Sequence, residues 1–136
     1  MNKAGGFTTV RKVLLLVDRW GQIETARKLG TTPRTLRQWR NTGAPSIVSP
    51  ACEWLARNPQ HRGDDRLPIG EVNRAEEKVG GKAAMCEILG ISPASYYRLR
   101  SKPVGGAALC AIQWILSEGN TRESLMKEVQ ERAEAE

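Results

Sequence analysis

The chain has 136 residues and a mass of 15.0 kDa, which allows one ordinary domain or two small ones and excludes a large enzyme. Its net charge of +6 lies in residues 1–65, which carry 11 basic and 5 acidic groups, whereas residues 66–136 carry 10 of each. Clustered basic side chains favour a polyanionic partner, with nucleic acid first and an anionic membrane surface second. No apolar run is long enough to cross a bilayer and no signal peptide is evident, so we expect a cytoplasmic protein.

Four helices are predicted in the first part of the chain. Apolar residues at positions 10, 13, 14 and 17 have the spacing of one helix face, and predict a helix with Thr8 or Thr9 as its cap. A strand is the competing interpretation, but no stretch with strand-like alternation is present to pair with it. The next three helices cover residues 22–29, ended by Gly30; residues 33–41, opened by Thr32 and Pro33; and a segment opened by Ser49 and Pro50 that ends near residue 58.

Residues 59–70 are rich in Pro, Gly and charged side chains and lack apolar periodicity, so we interpret them as a linker between two units, residues 1–58 and 71–118. In the second unit the pattern predicts helices over residues 71–79, 82–89, 93–100 and 106–118. A C-terminal helix is predicted within residues 119–136, with Asn120 as its cap, Glu123 three residues on, and a narrow apolar stripe at Leu125, Met126 and Val129. Because this last segment is acidic, we expect it to pack on the protein or pair with a second chain.

The two units are predicted to be copies of one another. A shift of 60 residues aligns Gly21, Leu29, Gly30, Pro33 and Arg40 with Gly81, Leu89, Gly90, Pro93 and Arg100, and further on Ala51 and Trp54 with Ala111 and Trp114. Several of these identities fall on the Leu, Gly and Pro positions at which backbone geometry is decided. We therefore expect an all-α fold of two tandem units plus a C-terminal helix.

The segment QIETARKLGTTPRTLRQWRN, residues 22–41, resembles the helix-turn-helix of the Cro and phage-repressor type, including its YdaS-like members. Ala26 stands where a small side chain lets two helices cross closely, and Gly30 takes the left-handed conformation of the turn. The apolar contacts between the helices come from Leu29, Leu36 and Trp39. The second copy, KAAMCEILGISPASYYRLRS, is similar, with Cys86 in the small position, Gly90 in the turn, and Leu89, Ile91, Tyr96 and Leu99 in the core.

The resemblance implies that the second helix of each unit lies in the DNA major groove, with its N-terminal residues toward the base edges. In the first unit the expected base contacts are Arg34, Thr35, Arg37 and Gln38. Gln22 is expected at a phosphate, and the same surface includes Thr32, Arg40 and Asn41. In the second unit the expected DNA-contacting residues are Lys82, Ser92, Ser95, Tyr97, Arg98 and Lys102. The alternative for this unit is a role in dimer contacts without DNA binding.

The resemblance thus implies a sequence-specific regulator of transcription that binds double-stranded DNA, a repressor of phage or mobile-element type. Two reading helices in successive major grooves are expected about 34 Å apart, supplied by a homodimer or by the two units of one chain. Two alternatives remain open. One is a DNA-packaging or recombination accessory protein such as a small terminase subunit, and the other is a protein-interaction module, an antitoxin or inhibitor.

No catalytic motif supports an enzyme: the sequence has no Gly-rich phosphate loop, no ligand-spaced cluster of His and carboxylates, and no nucleophile with a base partner. We accordingly expect no catalytic residue, metal, cofactor or small-molecule ligand. Trp39, Trp54 and Trp114 are expected in the core, because each stands beside other apolar residues at helical spacing. The cysteines, Cys52, Cys86 and Cys110, are expected to be buried and reduced, and His61 to have no ligand role.

Overall fold

The structure is a computed structural model that describes residues 6–61, 63, 65–117 and 119–135. These residues contain nine helices and no strand, which confirms the all-α fold class. In chain order the helices are α1 (Gly6–Trp20), α2 (Gln22–Lys28), α3 (Pro33–Thr42), α4 (Val48–Arg57), α5 (Ile69–Val79), α6 (Lys82–Leu89), α7 (Pro93–Leu99), α8 (Gly106–Leu116) and α9 (Arg122–Ala135). Within the described ranges, no helix combines the length and the apolar character needed to span a membrane.

The first unit is a bundle in which α1 packs against α2, α3 and α4. Val10, Val13 and Leu16 bury the apolar face of α1. The helix already begins at Gly6, so neither Thr8 nor Thr9 is the predicted cap. The early start buries Thr9 inside the helix, where its hydroxyl has no capping role.

The start of α4 also differs from the prediction. The helix begins at Val48 after Ile47, and no side chain caps it, so Ser49 is not the cap. The reason is that the chain is already helical at Ile47, and the Ser49 backbone N–H donates to the Ser46 oxygen at 3.1 Å, so Ser49 lies inside the helix. Its hydroxyl accepts a hydrogen bond from the ammonium of Lys12 on α1, at 2.8 Å. Lys12 also forms ion pairs with Glu53 at 3.1 Å and Glu128 at 3.4 Å, and so links α1, α4 and α9.

The predicted linker is held against the first unit. Lys28, at the end of α2, is 4% exposed, and its ammonium donates to the backbone oxygens of Pro59 and His61. The His61 ring lies edge-on to Trp54, with 5.0 Å between ring centroids. The segment is shorter than predicted, because α5 begins at Ile69, inside the range 59–70. An antiparallel bridge then joins Leu67 to Val104, the residue shortly before α8.

The two units pack on one another through α4 and α8, and their buried residues form one continuous core. Two close contacts between the units involve positions that are equivalent in the 60-residue repeat. Gly30 faces Gly106, and a Cβ on Gly30 would lie 2.6 Å from the Gly106 Cα. Gly90 faces Ser46, and a Cβ on Gly90 would lie 2.3 Å from the Ser46 Cβ. Since 30 and 90 are equivalent positions, as are 46 and 106, the units are related by an approximate two-fold axis.

Helix α9 packs on this body, in line with one of the two expected placements. Leu125 is fully buried, and Met126 and Val129 lie against the core. The predicted cap is wrong by one residue: Thr121 and Ser124 exchange backbone-to-hydroxyl hydrogen bonds of 2.9 and 3.1 Å. Asn120 instead donates from its side-chain amide to the Trp114 oxygen, at 2.7 Å. It therefore completes the end of α8 and does not begin α9.

The core assignments of the aromatic residues and cysteines largely agree with the prediction. Trp114 is buried, and Trp39 and Trp54 pack against the core. All three cysteines are free; Cys52 and Cys110 are buried and Cys86 is half-buried. Burial raises the pKa of the Cys52 and Cys110 thiols to about 12, which keeps both protonated at neutral pH.

Candidate nucleic-acid interface

The helix pair α2 and α3 has the geometry that the sequence predicted. Gly30 adopts φ of 69°, a left-handed conformation that reverses the chain after α2 at little cost for glycine. Thr32 caps α3, since its hydroxyl accepts a hydrogen bond from the Thr35 backbone N–H at 3.2 Å, and Pro33 follows at the first helical position. Ala26 and Leu36 are buried where the two helices pack. The turn therefore fixes the direction of α3 relative to α2.

The outer face of α3 is basic and exposed. Thr35 is half-buried, whereas the other predicted contact residues of this helix and its cap are exposed, namely Thr32, Arg34, Arg37, Gln38, Arg40 and Asn41. We call this set, with Thr35, the α3 face. Among the described residues, no acidic group lies within ion-pair distance of Arg34, Arg37 or Arg40. Three guanidinium groups on one short helix thus keep their charge and their hydrogen-bond donors available for a ligand.

The neighbouring helix α2 adds little opposing charge. Its acidic residue, Glu24, accepts a 2.6 Å hydrogen bond from Arg27, which holds the pKa of the Glu24 carboxyl below its usual value. Gln22, predicted at a phosphate, is the first residue of α2 and is half-buried. Ile23 beside it is 77% exposed, an apolar side chain that the sequence analysis did not assign to any surface.

The second unit repeats the backbone design. Gly90 adopts φ of 68°, and Ser92 caps α7 by accepting from the Ser95 backbone N–H at 3.1 Å. Ser95 is half-buried, and the other predicted contact residues of this unit are exposed, namely Lys82, Ser92, Tyr97, Arg98 and Lys102. We call this set, with Ser95, the α7 face. It carries fewer arginines than the α3 face, and Tyr97 is 74% exposed beneath the Lys82 ammonium, 5.4 Å from the ring centroid.

One arginine of the second unit is neutralised by its own unit. Arg100, the equivalent of Arg40, donates to the Glu76 carboxylate on α5 at 2.8 Å and to the Asn73 side-chain oxygen. The same carboxylate accepts from the Tyr96 hydroxyl at 2.6 Å. Burial, and then this hydrogen bond to Glu76, raise the pKa of Tyr96. The network ties α7 to α5, and the sequence analysis missed it because its members are 20 and more residues apart.

A groove of about 740 Å³ opens beside the α7 face, between α6 and α7. Apolar and aromatic side chains dominate its wall, together with two cations, and its lining consists of Lys82, Ala83, Cys86, Pro93, Tyr96, Tyr97, Arg100 and Ser101. One sequence signal points to this groove, because Tyr97 is an aromatic residue on the face of α7 that points away from the core.

No group of three His, Cys, Asp or Glu side chains arranged to hold a metal ion occurs in the described part of the chain. Comparison with protein-family models, with curated proteins and with solved structures gives no match for this chain. The case for a function therefore rests on the α3 and α7 faces and on the helix pairs that present them.

Proposed function

We propose that this protein is a sequence-specific regulator that binds double-stranded DNA through the major groove, with α3 as its main reading helix. The observation that carries the proposal is the α3 face, on which Arg34, Arg37 and Arg40 are exposed and unneutralised within the described structure. A capped helix held by a helix-turn-helix pair would present such side chains together toward one groove.

The proposed chemistry divides the face into two parts. Arg34, Thr35, Arg37 and Gln38 lie in the first two turns of α3, which enter the groove first. Arginine donates two hydrogen bonds to guanine and glutamine exchanges two with adenine, each pair contributing about 1–3 kcal/mol of discrimination. Arg40 and Asn41, near the end of the helix, and Gln22 and Thr32 at helix starts, would contact phosphates and set the register.

The α7 face supplies a second, weaker contact in this proposal. Arg98, Tyr97 and Ser95 offer one guanidinium and two hydroxyls, and Lys82 and Lys102 add phosphate contacts. Occupancy of an operator by both units would block or recruit polymerase, and we infer repression in the cytoplasm of a host of mobile elements. The proposal includes no catalysis, metal or cofactor.

The experiment that tests this function is the selection of random duplex DNA by the purified protein at about physiological salt, followed by sequencing of the retained duplexes. We expect one enriched motif, and a loss of affinity of about 1–3 kcal/mol at defined base pairs for R34A and R37A. Loss of a phosphate contact, such as that proposed for Arg40, should instead weaken binding to all DNA sequences alike. In R40A it should also reduce the slope of log affinity against log salt concentration by about one. R57A is the matched control, because Arg57 is exposed at the end of α4, away from α3. Retention without enrichment would refute sequence-specific binding.

The groove on the second unit favours one alternative function, a protein-interaction module. An apolar wall next to an exposed tyrosine is typical of a site for another protein's side chain. For such a module, R34A and R37A would leave partner binding unchanged, whereas Y97A would abolish it. A small terminase subunit would differ from both in the mass of its ring or filament.

A further inference from the structure

We propose that a single copy of the chain contacts both halves of its DNA site, and that this site is not a palindrome. The inference rests on the proposed function and adds the stoichiometry of the complex and the class of DNA sequence that it recognises. It replaces the second chain of a homodimer by the second unit of the same chain.

The two units are related by an internal approximate two-fold axis. Gly30 of the first unit contacts Gly106 of the second, and the equivalent of Gly30 in the second unit, Gly90, contacts Ser46, the equivalent of Gly106 in the first. This is the pattern of a two-fold dimer interface, in which residue i contacts j and j contacts i. Two reading helices related in this way can meet successive major grooves on one side of the duplex, as the helices of a dimer do.

The surface through which two copies would pair is already occupied within one chain. Ala51 and Leu55 of α4, and Ala111, Ile112 and Ile115 of α8, are fully buried within the chain. A second copy has no access to these apolar faces, because each unit covers those of the other. The clamp of Lys28 on the linker further holds the connection between the units against the first of them.

The α3 face and the α7 face carry different side chains at equivalent positions. Arg34 corresponds to Ala94, Arg37 to Tyr97 and Gln38 to Arg98. The free Arg40 corresponds to Arg100, which is bound to Glu76. Different side chains recognise different bases, so the two halves of the site differ in sequence.

Two measurements on the intact protein test the inference. The first is the mass of the complex between the protein and a duplex of about 30 base pairs taken from the selected pool, measured by sedimentation; an operator of two half-sites one helical turn apart fits within it. We expect one chain of 15.0 kDa per duplex, and the same single-chain mass without DNA. The second is repetition of the selection with R37A and with Y97A, which replace equivalent residues on the two faces.

We expect R37A to relax base preference by about 5- to 150-fold in one half of the motif only, and Y97A to relax it in the other half. A motif that is palindromic, two chains per duplex, or a change in both halves from R37A alone would overturn the inference and leave DNA binding in place. An enriched motif that covers only one half-site, and that is the same for Y97A as for the wild-type protein, would also overturn the inference. If the wild-type protein enriches no duplex, the proposed function itself fails.

Discussion

The contact between Gly90 and Ser46 allows a direct test of how the two units pack. In G90A the new methyl group would lie 2.0 Å from the Ser46 Oγ and 2.3 Å from its Cβ. Relieving this overlap costs about 1–3 kcal/mol, as other overpacked sites do. The left-handed φ of 68° adds about 1–2 kcal/mol for a residue with a Cβ. We therefore expect G90A to lower the free energy of unfolding by about 2–5 kcal/mol, a large part of the usual 5–15 kcal/mol.

Two further variants separate these contributions. G21A is the matched control, because Gly21 also has a positive φ, of 87°, but a Cβ there would meet no atom within 4 Å. With ψ of 165°, Gly21 has a conformation that is essentially restricted to glycine, so G21A should cost backbone strain alone, about 1–3 kcal/mol. The double variant S46G/G90A removes the overlap, so it should be more stable than the sum of the two single changes predicts, by about 1–3 kcal/mol.

Urea unfolding followed by circular dichroism measures all four variants on one scale. Packing of residue 90 against Ser46 is refuted if G90A costs no more than the left-handed strain alone, about 1–2 kcal/mol. It is also refuted if the effects of S46G and G90A simply add, because then residues 46 and 90 do not touch.

Three other predictions follow from buried or paired groups. Stability should fall as the pH rises through about 9, because the thiols of Cys52 and Cys110 ionise there in the unfolded chain but stay protonated to about pH 12 in the folded protein. Urea midpoints at about pH 7 and 10 measure this loss. The same pH dependence in a C52A/C110A variant would contradict it. K28M should lower the free energy of unfolding by about 1–3 kcal/mol, because two carbonyls of the linker lose their hydrogen-bond donor. K127M, at an exposed lysine, is the control, and equal stability of the two variants would disprove that Lys28 holds the linker. E76Q keeps a hydrogen-bond acceptor for Tyr96 but removes the negative charge beside Arg100. The slope of log affinity for DNA against log salt concentration should therefore steepen by up to about one. An unchanged slope would show that the released Arg100 contacts no phosphate.

The sequence predicted those features that depend on neighbouring residues. Thr32, Pro33 and Gly30 act within one turn of the chain, so the beginning of α3 and the turn before it follow from local rules. The exposure of Arg34 follows in the same way, because it lies nearly opposite the buried Leu36 on the helix. Arg40, four residues after Leu36, lies on the same side as Leu36, and its exposure does not follow from spacing alone.

The features that were missed depend on residues distant in sequence. The Ser49 hydroxyl binds Lys12, 37 residues earlier, and Arg100 is not free because Glu76, 24 residues earlier, binds it. The 60-residue repeat revealed two copies, but not that they face each other across Gly30 and Gly106. Nothing in a local pattern specifies which surfaces of two similar units come together.

The covalent connection between the paired units changes how such a protein responds to its own abundance. Two separate subunits come apart on dilution, so the paired fraction depends on how many copies a cell holds. Units joined by a short segment experience an effective concentration on the order of mM, whatever the number of copies. The α4 and α8 faces therefore stay together in a cell that contains only a few molecules. Each new chain adds one complete pair of units as soon as it folds. The dose response expected of such a protein is linear, without the threshold that assembly from subunits imposes.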